Sequence, residues 1–145
     1  MKKVLVLHGI NLNMFGKRDP AQYGTVTLAQ IDEEVKVFGR ELGLEVDCFQ
    51  TNHEGEMAQR IHDAHTDGTS AVLINAGAWT HYSYGIADAL AILEVPVIEV
   101  HMSHVHGREE FRHHSVFAPV VKGVVSGLGV DSYKMALRAA ANLLS

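Results

Sequence analysis

Imidazole and guanidinium side chains crowd one stretch of this sequence. From His101 to His114 it reads His-Met-Ser-His-Val-His-Gly-Arg-Glu-Glu-Phe-Arg-His-His. Imidazoles at such close range raise a metal site first, because zinc takes His, Cys and carboxylate in tetrahedral sets. The relevant groups are His101-x-x-His104-x-His106 and His113-His114. No H-E-x-x-H pattern accompanies them, and two consecutive histidines cannot easily face one ion. A second reading is a nucleotide loop at Gly127-Leu128-Gly129. A dinucleotide fingerprint needs a third glycine, and Ser132 occupies its place. A tight turn ahead of a final helix explains those glycines more simply.

The third reading is metal-free acid–base chemistry on a small anionic substrate. Arg18, Arg108 and Arg112 can pair with carboxylates or oxyanions, while Asn75, Ser103 and His81 are neutral orienting groups. Glu99 lies two residues before His101, and alternate residues of a strand share a face. If a strand runs as far as His101, that carboxylate fixes the imidazole's tautomer and raises its pKa. Such a group suits a general acid near neutral pH. Tyr23, five residues after Arg18 in a glycine-containing loop, is the candidate base. Bringing a free phenol from about 10 to about 7 needs ~4 kcal/mol of preferential stabilisation of its anion. Arginines in a poorly hydrated site are one source of it.

These residues need a scaffold, and the hydrophobic pattern supplies one. Val4 to Leu7 is a continuous apolar run of the kind that forms a strand buried on both faces. A long polar loop, His8 to Val26, follows. Thr27 and Gln30 make a capping-box signature, and Leu28, Ile31, Val35, Phe38 and Leu42 then mark one face of a helix that Gly43 ends. The unit repeats. Strands are expected at Leu44–Phe49, Ala71–Ile74, Val97–Val100 and Lys122–Ser126. Helices are expected around Met57–Ala64, Ile86–Leu93 and Tyr133–Leu144, the last capped by Asp131 or Ser132. Short apolar strands alternating with helices argue an α/β fold with a parallel sheet covered on both faces. Five strands favour the flavodoxin-like order 2-1-3-4-5.

In such sheets ligands bind beyond the carboxyl ends of the strands. Eight of the ten histidines fall in the segments after the first four strands, and only His62 and His65 fall on an expected helix. Candidates in these segments include His8, Asn11 and Asn13 after the first strand, and Gln50, Asn52, His53 and Glu54 after the second. Asn75, Thr80, His81 and Ser83 follow the third.

At 145 residues the chain is expected to form one domain, 1–145. The net charge of −5 and the lack of any basic block beyond Lys2-Lys3 argue against a nucleic-acid partner. Its single cysteine, Cys48, excludes an internal disulfide and fits a reducing compartment. The apolar run after Lys2-Lys3 is too short for a signal peptide or a membrane span. A cytoplasmic location, with no membrane partner, is the expectation.

Taken together the segments resemble the type II 3-dehydroquinate dehydratases. The resemblance is carried by Asn11-Leu12-Asn13 with Gly16, Arg18, Pro20, Tyr23 and Gly24; by Asn52-His53-Glu54-Gly55; and by Ile74-Asn75 through Asp88-Ala89-Leu90. It continues through Glu99-Val100-His101, Ser103, Arg108-Glu109-Glu110-x-Arg112-His113-x-Ser115, and Gly127-x-Gly129 with Tyr133. It implies a flavodoxin-like fold, no cofactor, and trimers assembled into homododecamers. The implied reaction is anti elimination of water from 3-dehydroquinate through an enolate, in the shikimate pathway or in quinate catabolism. By the same resemblance Tyr23 removes the C2 proton, helped by Arg18, and Asn11 stabilises the enolate through water. His101, held by Glu99, protonates the departing C1 hydroxyl. Asn75, Ser103 and the backbone at Met102 hold the carboxylate, His81 and Arg112 bind ring hydroxyls, and Asp88 reaches a neighbouring subunit's site. The chain departs from the family's common pattern at His8, Ile10, Ala76, His104 and Ser132. His8 and Ile10 flank Asn11, so a related cyclic hydroxy-ketoacid substrate is one alternative. A binding module without turnover is another.

Overall fold

Five parallel strands form one sheet in the order β2-β1-β3-β4-β5. They are β1 (Lys2–His8), β2 (Leu44–Gln50), β3 (Thr69–Asn75), β4 (Val97–His101) and β5 (Gly123–Ser126). The computed structural model of the chain describes residues 1–17 and 19–145, and of Gln22 and Tyr23 the backbone alone. The helices are α1 (Pro20–Tyr23), α2 (Leu28–Glu41), α3 (Glu54–Ala64), α4 (Tyr84–Ile92) and α5 (Asp131–Leu144). Among the described residues no helix is long and apolar enough to cross a membrane.

The burial pattern explains the order. The three inner strands are buried almost throughout, as expected for strands covered on both faces. Edge strand β2 begins instead with a buried–exposed alternation. Because side chains alternate across a strand, the sheet builds two separate cores. Val4, Val6, Ala71, Leu73, Ile98 and Val100 face Ile31 and Val35 of α2 and Ala136, Leu137 and Ala140 of α5. Leu5, Leu7, Val72, Ile74 and Val97 face Met57 and Ile61 of α3 and Ile86 and Leu90 of α4. Each large side chain so buried contributes ~1.5–3 kcal/mol, so the sheet holds the carboxyl ends of its strands rigidly.

The capping box at α2 is fully formed. Gln30 N–H donates to Thr27 Oγ1 at 3.2 Å and Thr27 N–H to Gln30 Oε1 at 2.9 Å. Gly43, just past that helix, has the expected positive φ of 77°.

Two local expectations are corrected. The segment after β1 is not plain loop, since Leu12–Met14 forms a 3-10 turn and Pro20–Tyr23 forms α1, capped by Asp19. Neither Asp131 nor Ser132 caps α5: the helix is entered from Val130, already in helical conformation. Ser132 Oγ instead accepts from Leu128 N–H of the preceding turn at 3.0 Å, which commits it to closing that turn.

Candidate active site

A pocket of ≈ 110 Å³ opens at the carboxyl edge of the sheet. The segments after β1, β3 and β4 line it, with Asn11, Asn75, His81, His101, Met102, Ser103, Arg108 and Arg112 supplying its polar or main-chain groups. The loops after β1 and β3 cross in van der Waals contact. A Cβ on Gly9 would come within 2.4 Å of Ala76 O, and one on Gly77 (φ 62°) within 2.7 Å of Ile10 O. Only glycine permits that crossing.

β4 extends to His101, so Glu99 and His101 share the α3/α4 face. His101 Nε2 lies 2.6 Å from Glu99 Oε2, with both side chains buried. The second carboxylate oxygen, Oε1, accepts from Ser115 Oγ at 2.6 Å. With Nε2–H committed to Glu99, the other ring nitrogen, Nδ1, is left for substrate chemistry. The turn at Gly127 and Gly129 braces this strand end, since their N–H groups donate to His101 O at 3.2 Å and Met102 O at 3.0 Å. The diglycine is a structural support for the imidazole.

His81 stacks on His101 with ring centroids 6.4 Å apart. Its Nδ1 donates to His114 O at 2.8 Å, which leaves Nε2 as an acceptor. Burial, foremost, holds its pKa below the ordinary value, and the neighbouring His101 and Arg112 push in the same direction. A neutral ring that accepts a hydrogen bond suits a substrate hydroxyl. Ser103 Oγ accepts from Arg108 Nη1 at 3.1 Å. Arg112 is held by Glu109 Oε2 at 3.0 Å and lies over the Phe111 ring at 4.6 Å, so its guanidinium is oriented before any ligand arrives.

Asn11 adopts a left-handed conformation (φ 70°), which asparagine tolerates better than most residues. Its N–H donates to Asn52 Oδ1 at 2.9 Å, and the same oxygen accepts from Gln50 Nε2 at 3.1 Å. The residues after β2 thus brace the pocket wall and do not line it. Glu54 accepts from Ser83 Oγ at 2.6 Å, and Ser83 in turn caps α4.

His8 does not line the pocket either. It is fully buried on the α2/α5 face, paired with Asp32 and Tyr133. Asp88 sits exposed on α4, away from this pocket. Arg18 and the Tyr23 side chain lie outside the described residues.

The structure does not assemble the His101–His114 run as a metal cluster. His104, His106, His113 and His114 are exposed, with His106 and His113 stacked on each other. Among the described residues, the group of three potential ligands close enough for one ion is His8, Asp32 and Cys48, with donor atoms within 4.8 Å. Sequence reasoning missed Ser115 and Tyr133 as supports of the site. Ser115 and Tyr133 had stood out only within the quoted motifs, and the partners they hold lie 16 or more residues away.

The family model described as Dehydroquinase class II matches residues 2–141. A 3-dehydroquinate dehydratase of Pelobacter propionicus is 70% identical, covering 100% of this chain and 97% of its own length. Another from Leptothrix cholodnii is 69% identical, covering 98% and 95%. The crystal structure of a type II dehydroquinase from Propionibacterium acnes superposes with a TM-score of 0.95 at 47% identity, covering 98% of this chain and 97% of that one.

Proposed function

We propose, from the premise that this chain belongs to the class II dehydroquinase family, that it eliminates water from 3-dehydroquinate to give 3-dehydroshikimate. One observation carries the reading: the buried Glu99–His101 pair opens on a pocket that holds a neutral imidazole, an oriented guanidinium and an amide. Those are the groups that an elimination from a polyhydroxylated carboxylate requires.

In the proposed scheme the Tyr23 phenolate, favoured by Arg18, takes the C2 proton, and electrons move onto the ketone oxygen as an enolate. Asn11 stabilises that oxygen through a water molecule. The enolate then collapses, the C1–O bond breaks, and His101 delivers a proton so that the hydroxyl leaves as water. Hydroxide is a poor leaving group, and a positioned acid removes that penalty. Glu99 stabilises the doubly protonated ring that acts as the acid. Asn75, Ser103 and the Met102 backbone hold the substrate carboxylate, and His81 and Arg112 hold ring hydroxyls. The scheme uses no cofactor and no metal, because hydrogen bonds and fixed charges stabilise the enolate.

The acting unit is residues 1–145 as one domain, in the cytoplasm. The exposed position of Asp88 supports a homo-oligomer, dodecameric in its full form, in which that carboxylate meets a neighbouring site.

The test is turnover of 3-dehydroquinate by the purified protein, followed by the absorbance of the conjugated enone-acid product. Wild type should turn over after exhaustive chelation, and Tyr23→Phe should lower kcat by orders of magnitude while the fold persists. Absence of turnover by wild type would sink the activity. A Tyr23→Phe enzyme with more than about a tenth of normal kcat would remove Tyr23 from the base role, since general bases contribute roughly 10²–10⁴-fold.

A further inference from the structure

We propose that Asp32, His8 and Tyr133 form a positioning relay that fixes the amide of Asn75 for substrate binding. The inference rests on the reading of Asn75 as a substrate contact and adds three residues outside the pocket that act through it.

Topology brings the four together. His8 and Asn75 are register partners at the carboxyl ends of β1 and β3. Each follows a residue two back, Val6 and Leu73, that packs on the α2/α5 face, so both point that way. α2 supplies Asp32 and α5 supplies Tyr133. The contacts run in series: Asp32 Oδ1 to His8 Nε2 at 2.8 Å, His8 Nδ1 to Tyr133 Oη at 3.1 Å, and Tyr133 Oη to Asn75 Nδ2 at 2.9 Å. His8 and Tyr133 are both 0% exposed, so bulk water does not reach the His8–Tyr133–Asn75 part of the series, while Asp32 closes it at the partly exposed end.

The two ends determine the direction of every hydrogen bond. Gly77 N–H donates to Asn75 Oδ1 at 3.3 Å, which identifies the other amide atom as the nitrogen facing Tyr133. That NH₂ group donates, so the phenol oxygen accepts. The phenol proton must therefore go to His8 Nδ1, which has to be the bare nitrogen. The ring proton then sits on Nε2 and faces the Asp32 carboxylate. Each donor has one acceptor, and the second N–H of the Asn75 amide remains for the pocket.

The same polarity argues against a metal ion on His8, Asp32 and Cys48. An ion on Nε2 would move the ring proton to Nδ1. Tyr133 would then face two donors, and its own buried proton would lack an acceptor, which is costly in a dry interior. Burial and the neighbouring Asp32 carboxylate also push the Cys48 thiol up, away from the thiolate a metal needs.

The experiment is a double-mutant cycle on KM and kcat, with nitrogen-15 NMR of the His8 ring. Asn75→Ala should raise KM about 10-fold or more if Asn75 binds substrate. Tyr133→Phe, which removes one oxygen and keeps the ring, should raise KM about 5- to 20-fold with kcat changed less. Combined with Asn75→Ala it should add nothing, since the relay acts only through that amide. His8→Leu should reproduce the Tyr133→Phe pattern, with denaturant unfolding confirming a folded protein. The spectrum of wild type should show the proton on Nε2 and a bare Nδ1.

An unchanged KM in Asn75→Ala overturns the substrate-contact reading and the relay with it. A normal Asn75→Ala response with an unchanged KM in Tyr133→Phe overturns the relay alone. Additive effects of Tyr133→Phe and Asn75→Ala, or a His8 proton on Nδ1, also overturn it.

Discussion

The molecule contains two imidazole–carboxylate pairs of nearly the same length, Glu99–His101 at 2.6 Å and Asp32–His8 at 2.8 Å. They lie on opposite faces of one sheet, near the same edge. In the first, a buried carboxylate is held at both oxygens, one by His101 and one by Ser115. In the second, Asp32 is partly solvent-exposed, with 27% of its side chain accessible. The free nitrogen separates the pairs most sharply. His101 lines the pocket, whereas the second nitrogen of His8 is sealed against Tyr133. A carboxylate beside a histidine therefore does not by itself announce an acid. What the other ring nitrogen meets decides whether the pair moves a proton or holds a neighbour still.

The largest expected effect that would break this contrast comes from His101→Ala. Its kcat should fall roughly 10²–10⁴-fold, the usual worth of a positioned acid, with much less loss of affinity for an enolate-mimicking inhibitor. Near-normal turnover, measured beside inhibitor titrations, would place the two pairs in one class.

Glu99→Gln keeps the size of the side chain and removes the charge. A hydrogen bond to a charged group is worth ~1.5–3 kcal/mol, so kcat should drop about 10- to 100-fold while thermal unfolding stays cooperative. Retained full kcat would mean that the carboxylate merely packs against the ring.

Ser115→Ala sharpens the comparison, because among the described residues no hydroxyl donates to Asp32 as the half-buried Ser115 does to Glu99. Loss of its bond to a buried carboxylate should lower stability by about 1–3 kcal/mol, read as a lower urea midpoint at unchanged slope. An unmoved midpoint would show that Glu99 needs no second support.

The smallest effect is electrostatic and belongs to His81, stacked on the proposed acid. Burial holds its folded pKa below 6.5, so the unfolded chain takes up this proton first as pH falls. The ring's contribution to stability is therefore complete above 6.5 and drains away as pH drops through the window below it. An NMR titration should give a midpoint under 6.5, and His81→Gln should flatten that part of the stability–pH curve. A midpoint at or above 6.5 would contradict a neutral acceptor.

Local pattern sufficed wherever physics acts over a few residues. The continuous apolar runs required inner strands, the Thr27–Gln30 box placed the start of α2, and Glu99 and His101 were legible as a pair because strand periodicity brings residues two apart onto one face. The α5 cap was misread because Ser132 had two possible uses, and its bond to Leu128 depends on the geometry of the whole turn. Clustering of polar residues after the strands located the pocket, but could not tell Asn75, which lines it, from Asn52, which braces it.

What only the tertiary structure decided are the partnerships between residues far apart in the chain. His8 and Asp32 are 24 residues apart, His8 and Tyr133 125, and Asn75 and Tyr133 58. No periodicity spans such gaps. They close because parallel strands put His8 beside Asn75 and because α2 and α5 pack on the face both residues share. Side-chain period and capping chemistry are written locally. The polarity of a buried hydrogen-bond chain is determined only once its two ends are brought together and water is excluded.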